Sequence, residues 1–124
     1  VSDQQSRGTE GLRLSIAIGE SDRLGGRPLA DVIVREARSM GLPGATVLRG
    51  VAGYGARSVL HTSRILRLSD DLPVIIEVID VPYRIDAFAD RVESLLDDAD
   101  CGGLVTTEPV TILRYRGGPR STTT

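Results

Sequence analysis

Leu12-Arg-Leu-Ser-Ile-Ala-Ile-Gly19 alternates aliphatic residues with small or polar ones. Strand side chains point to opposite faces in turn, so Leu12, Leu14, Ile16 and Ile18 share one buried face. Outward from this strand the pattern changes period. Glu20 to Arg27 is polar and glycine-bearing, a loop. Pro28 suits the first turn of a helix, where its missing N–H costs nothing. Leu29, Val32, Ile33, Ala37 and Met40 then fall on one helical face, and Gly41 can end the helix in a left-handed conformation. A second strand is predicted from about Ala45 to Ala52. Leu72-Pro-Val-Ile-Ile-Glu-Val-Ile-Asp80, nearly continuous in β-branched residues, predicts a central strand covered on at least one face. Pro82 can start a second helix whose apolar face is Ile85, Phe88, Ala89, Val92, Leu95 and Leu96, ending near Asp98. A last strand is predicted from Leu104 to about Arg116, interrupted near Pro109, which cannot donate to a ladder.

The order β-α-β-β-α-β predicts an α+β, ferredoxin-like fold: a four-stranded antiparallel sheet with two helices on one face. The third strand is apolar on both parities, with Val74, Ile76 and Val78 on one side and Ile75 and Ile79 on the other. The bare face of the sheet therefore needs a cover, and self-association is the simplest. Residues 1–11 and 117–124 are expected to be flexible tails around one domain, 12–116, with a long loop at 53–69.

At 124 residues and 40% hydrophobic content, one domain can bury a core, and with only Tyr54, Tyr83, Phe88 and Tyr115 aromatic that core must be aliphatic. No apolar run approaches the ~20 residues of a membrane helix, and the N-terminal residues lack a signal peptide's apolar stretch. A single cysteine, Cys101, precludes an intramolecular disulfide, which fits a reducing cytoplasm. A net charge of −2 with interspersed signs argues against nucleic-acid binding. All fifteen basic residues are arginine, so Schiff-base chemistry and a Walker-type phosphate lysine are excluded. A phosphate would have to be held by arginine, backbone N–H groups or a helix N-terminus.

Three motifs fit such an anion. Gly44-Ala-Thr-Val-Leu-Arg-Gly-Val-Ala-Gly-Tyr-Gly-Ala-Arg57 places Thr46 and Arg49 on a strand and Gly50, Gly53 and Gly55 at or beyond its end. Glycines there let backbone N–H groups approach a phosphate; a bulge and tight turn without ligand would show the same pattern. Gly19-Glu-Ser-Asp-Arg-Leu-Gly-Gly-Arg27 joins a strand to a helix N-terminus, a natural anion site, though from the sequence alone a loop with good capping chemistry is the better account. Arg114-Tyr-Arg116 puts two guanidinium groups on one side of the last strand, as a phosphate clamp or a solvated edge would. His61 is the only histidine, so neither a usual zinc site nor any other metal site is expected. A triad of Ser21 or Ser63 with His61 and an aspartate lacks a Gly-x-Ser-x-Gly turn, and no catalytic residue is assigned. Arg57, His61, Arg64 and Arg67 read as a surface for a partner.

Gly19-Glu-Ser-Asp-Arg23, Gly44 to Gly50, Gly53-Tyr-Gly55, His61-Thr62 and Ile65-Leu-Arg-Leu-Ser-Asp-Asp-Leu-Pro73 together resemble domain-of-unknown-function family 190. The resemblance spans about Leu12 to Ile112 and implies a PII-like, ferredoxin-like fold and a homotrimer. It also implies adenine-nucleotide binding in some members and, as a partner, a membrane transporter such as a fluoride exporter. A fainter likeness reaches the PII signalling proteins through Gly44, Thr46, Val47, Gly53, Tyr54 and Gly55, and through Pro109-Val110 and Arg114-Tyr-Arg-Gly117. That likeness implies that Arg114 and Arg116 hold nucleotide phosphates at a subunit interface. Asp100-Cys-Gly-Gly-Leu-Val105 stands where PII proteins carry a lysine-bearing phosphate loop, so AMP or ADP is favoured over ATP. The expected function is a trimeric regulator that needs no cofactor and senses an adenine nucleotide through Thr46, Arg49, Gly50, Gly53, Gly55, Arg114 and Arg116. It would signal through loop 53–69, with Arg57, His61 and Arg64, to a partner protein. The alternatives are a ligand-free oligomeric adaptor and a small phosphohydrolase using His61, or Glu20 and Asp22.

Overall fold

The computed structural model describes residues 7–53 and 71–116. The elements are β1 (Thr9–Gly19), a two-residue pair β2 (Arg23–Leu24) and β3 (Arg27–Pro28), α1 (Leu29–Ser39), β4 (Thr46–Arg49), β5 (Pro73–Asp80), α2 (Pro82–Asp98) and β6 (Leu104–Ile112). The main sheet has the order β4-β5-β1-β6, with every neighbouring pair antiparallel. This is the expected ferredoxin-like arrangement.

Register explains the core. Leu14 pairs with Val78, Ile16 with Ile76 and Ile18 with Val74, so all six side chains lie on one face. They are buried with Leu29, Ile33 and Ala37 of α1 and Ile85, Phe88, Val92, Leu95 and Leu96 of α2. Phe88 is the one aromatic among them and is fully enclosed. Two polar ties fix the helices. Arg91 Nε donates to Glu36 Oε2 at 3.1 Å, linking α2 to α1. Arg84 Nε donates to Asp80 Oδ2 at 2.6 Å, and its Nη2 donates to the Gly41 carbonyl just beyond α1. That places a cation at the negative end of the α1 dipole. The Asp80 carboxylate, by hydrogen bond and then by charge, raises the Arg84 pKa above its ordinary value.

The opposite face of the sheet carries Arg13, Ser15 and Ala17 of β1, Ile75, Glu77 and Ile79 of β5, and Leu104, Thr106 and Glu108 of β6. Arg13 pairs with Glu108 across this face, and Glu108 raises its pKa, with a smaller contribution from Glu77. Apolar side chains share this face with the pair: Ile79 is 42% exposed, Leu48 48% and Leu104 63%.

Three details differ from the sequence reading. Residues 23–28 form a miniature hairpin instead of a loop, with Gly25 and Gly26 at φ of 61° and 78° in its two-residue turn. Both central residues of such a turn need positive φ, which glycine adopts freely. β4 is shorter than Ala45–Ala52 and exposed at every residue. β6 runs unbroken through Pro109 and ends at Ile112, not Arg116. An edge strand is bonded on one side only, which is where proline is tolerated.

Candidate functional site

The β1–β2 turn, the end of β4 and the residues leading into β5 meet at one end of the sheet. Backbone bonds set the frame: Glu20 N–H donates to Leu72 O at 2.8 Å, Gly50 N–H to Pro73 O at 2.7 Å, and Leu29 N–H to Asp22 O at 2.8 Å. The Asp22 carboxylate turns inward, where Oδ2 accepts from Gly19 N–H at 2.8 Å and from the Cys101 thiol at 3.2 Å. Asp71 Oδ1 accepts from Ser21 N–H at 3.1 Å and from Ser21 Oγ at 2.9 Å. The Asp71 carboxylate lies so close over Gly19 that a Cβ there would sit 2.0 Å from Oδ1.

Arg49 and Glu20 form an ion pair across this end. Their side chains are 70% and 30% exposed, so the guanidinium is open to solvent while the carboxylate is partly sheltered. Arg49 pairs with Val74 in the sheet, and the next residue is tied to β5 by the Gly50 N–H bond to Pro73 O, in a space too narrow for a Cβ. The guanidinium therefore stands on backbone bonded to β5 on both sides of the strand end.

The residues expected to bind phosphate are distributed as follows. Arg49, Gly50 and Gly53 share this end, with Gly50 and Gly53 both packed on the Pro73 ring. The Gly50 N–H is engaged by Pro73, so it is not turned to a ligand. Thr46 opens β4, three residues before Arg49. Arg114 and Arg116 follow β6 as exposed residues outside any strand, so strand alternation does not place them. Between them, Tyr115 Oη donates to the Pro43 carbonyl at 3.0 Å, which carries this segment to the end of the molecule where β4 begins. Within one chain the two arginines are thus at the opposite end of the sheet from Arg49. Gly55, Arg57, His61 and Arg64 lie outside the described residues.

Asp22, Asp71 and Cys101 build this end, and sequence reasoning gave none of them that role. The contacts join residues 50 and 79 positions apart, so no local pattern in the sequence signals them. Beside them a shallow cavity of about 240 Å³ under the α2–β6 turn is lined by Glu93, Asp97, Leu96, Cys101 and Val105, and its carboxylates disfavour an anion. No group of metal-ligating residues occurs among the described residues, and no described helix is long and apolar enough to cross a membrane.

The DUF190 family model, described as Uncharacterized ACR, COG1993, matches residues 11–112. The chain belongs to this family. Among its relatives is a UPF0166 protein of Aquifex aeolicus, 31% identical over 100 residues, covering 81% of this chain and 90% of that one. The UPF0166 protein MJ1524 of Methanocaldococcus jannaschii is 40% identical over 72 residues, 58% of this chain and 66% of that one. In structure the chain is similar to CPII, a nitrogen regulatory PII-like protein from Thiomonas intermedia K12. Against CPII bound to ADP and bicarbonate the TM-score is 0.63 at 13% identity, covering 86% of this chain and 91% of CPII. Against CPII bound to ADP, AMP and acetate it is 0.61 at 12% identity, with 85% and 90% covered. The DUF190 fold is thus PII-like, and Gly19–Arg23, Arg49–Gly50 and Asp71–Pro73 meet at one end of its sheet.

Proposed function

We propose that this DUF190 protein is a PII-like regulator that binds an adenine nucleotide between subunits. The observation that carries the reading is the Arg49 guanidinium, exposed at the end of the sheet where β4, the β1–β2 turn and the start of β5 meet. Arginine presents planar, bidentate donors suited to phosphate. The nucleotides bound by CPII, a protein of the same fold, support the adenine assignment. Thr46, Arg49 and Gly53 of one chain would meet Arg114 and Arg116 of a neighbour. The distance between Arg49 and the two arginines within one chain favours assembly. So does the bare sheet face, where Leu48, Ile79 and Leu104 stay exposed; a homotrimer closing over it is the form expected. AMP or ADP is the favoured effector, since Arg49 already carries the charge of Glu20. Residues 53–69 would report occupancy to a partner protein, with a membrane transporter such as a fluoride exporter as the first to try.

One observation favours a second reading, a ligand-free adaptor. Gly50 and Gly53 are both accounted for by packing on Pro73, and the Gly50 N–H has a protein acceptor. A thermal-shift series with AMP, ADP, ATP and cyclic AMP separates the two. A ligand that binds only the folded state adds about 2.7 kcal/mol at one hundred times its Kd. The regulator predicts a saturable shift for one nucleotide that shrinks in Arg114→Ala and Arg49→Gln. The adaptor predicts no shift at millimolar concentration.

A further inference from the structure

We propose that Glu20 is a charge selector: its carboxylate, held on Arg49, makes this end of the sheet discriminate against nucleotides in proportion to their phosphate charge. The inference rests on the nucleotide reading of Arg49 and adds a residue that determines which nucleotide is accepted.

Glu20 is placed by structure and not by the pairing alone. Its N–H is bonded to Leu72 O, and the turn around it is locked by Gly19 N–H on Asp22 Oδ2 and by Ser21 on Asp71. The neighbouring carboxylates are engaged in this framework: Asp22 faces the Gly19 N–H and Cys101, and Asp71 faces Ser21. Among the described carboxylates, Glu20 is the one that contacts the Arg49 guanidinium, through Nη1. A guanidinium has five N–H donors, so Arg49 keeps donors for a second anion while Glu20 stays in place. That anion then sits near a fixed negative charge, and the repulsion grows with each charge it carries. Asp22 and Asp71 add to the same field. A monophosphate meets the least repulsion and a triphosphate the most.

Isothermal titration of the full chain with AMP, ADP and ATP, in EDTA so that each keeps its full charge, tests this. Glu20→Gln retains an acceptor for Arg49 and removes the charge. Its affinity should rise over the unmutated protein, with the gain growing by about threefold for each added phosphate charge, as expected for charges several ångströms apart near a surface. Glu20→Asp keeps the charge and should keep the original order of affinities. Glu20→Ser removes the charge with a smaller side chain, and should shift the order as Gln does if Gln disturbs folding. If removing the charge changes all three affinities equally, or weakens them, Glu20 only orients Arg49 and the selector is overturned while the nucleotide reading stands. If neither the unmutated protein nor the folded variants bind any of the three, both fall together.

Discussion

Replacing Gly19 by alanine should destabilise the protein only while Asp71 is present. A Cβ at position 19 would lie 2.0 Å from Asp71 Oδ1 and 2.6 Å from Asp71 Cγ. Both distances are far inside van der Waals contact, so the carboxylate must withdraw by more than an ångström. Its bonds from Ser21 N–H and Oγ, at 3.1 and 2.9 Å, are lost with it. Bonds to a charged acceptor contribute about 1.5–3 kcal/mol each when buried; at this exposed position about 1–2 kcal/mol for the two together is reasonable. Against this, alanine restricts the unfolded chain and returns about 0.4–1 kcal/mol. The net loss in the unmutated background should be about 0.5–1.5 kcal/mol. In an Asp71→Ala background the clash is gone, and Gly19→Ala should stabilise by about 0.5 kcal/mol. Urea midpoints of the four proteins, at one chain concentration because the proposed self-association would couple stability to concentration, give the cycle. A coupling near zero, with the same effect of Gly19→Ala in both backgrounds, would refute the packing account of the Gly19 motif.

Other expectations follow from the same contacts. Phe88→Ala, at a fully enclosed position, should cost about 3–5 kcal/mol in urea unfolding. Ile79→Glu, on the bare sheet face, should convert the proposed homotrimer to single chains of 13.3 kDa by light scattering while the circular dichroism stays native. The Arg13 pKa is raised by Glu108, so its folded-state contribution is complete below the ordinary arginine value and is lost only as pH rises past it, above about pH 12. Arg13→Gln should therefore lower the urea midpoint by the same amount at pH 6, 7.5 and 9; a difference that changes across that range would contradict the assignment.

Much of the fold was legible because burial imposes period. The alternation from Leu12 to Ile18 and the run from Val74 to Val78 give the core face directly, and the observed register matches residue to residue. The small hairpin at residues 23–28 was not legible because Arg23-Leu24 and Arg27-Pro28 carry no β-branched residue. Its turn glycines, not its strand residues, set its shape. The end of β6 was overextended because Leu113 and Tyr115 continue an alternation that the sheet does not use: Tyr115 instead reaches the Pro43 carbonyl. At the site, Arg49 and its glycines were visible, yet the reason for Gly50 was not. Its partner is the Pro73 ring, more than twenty residues away, and only the folded chain shows that this packing leaves no room for a Cβ there. The pairing of Glu20 with Arg49, twenty-nine residues apart, is likewise visible only in the folded chain.

The account stands most directly on an equilibrium titration of ADP into the unmutated protein, repeated with the Ile79→Glu variant. It predicts saturable binding of one ADP per chain, strongly weakened when the subunits are held apart. Absence of binding, or binding undiminished in single chains, would contradict a nucleotide site shared between subunits.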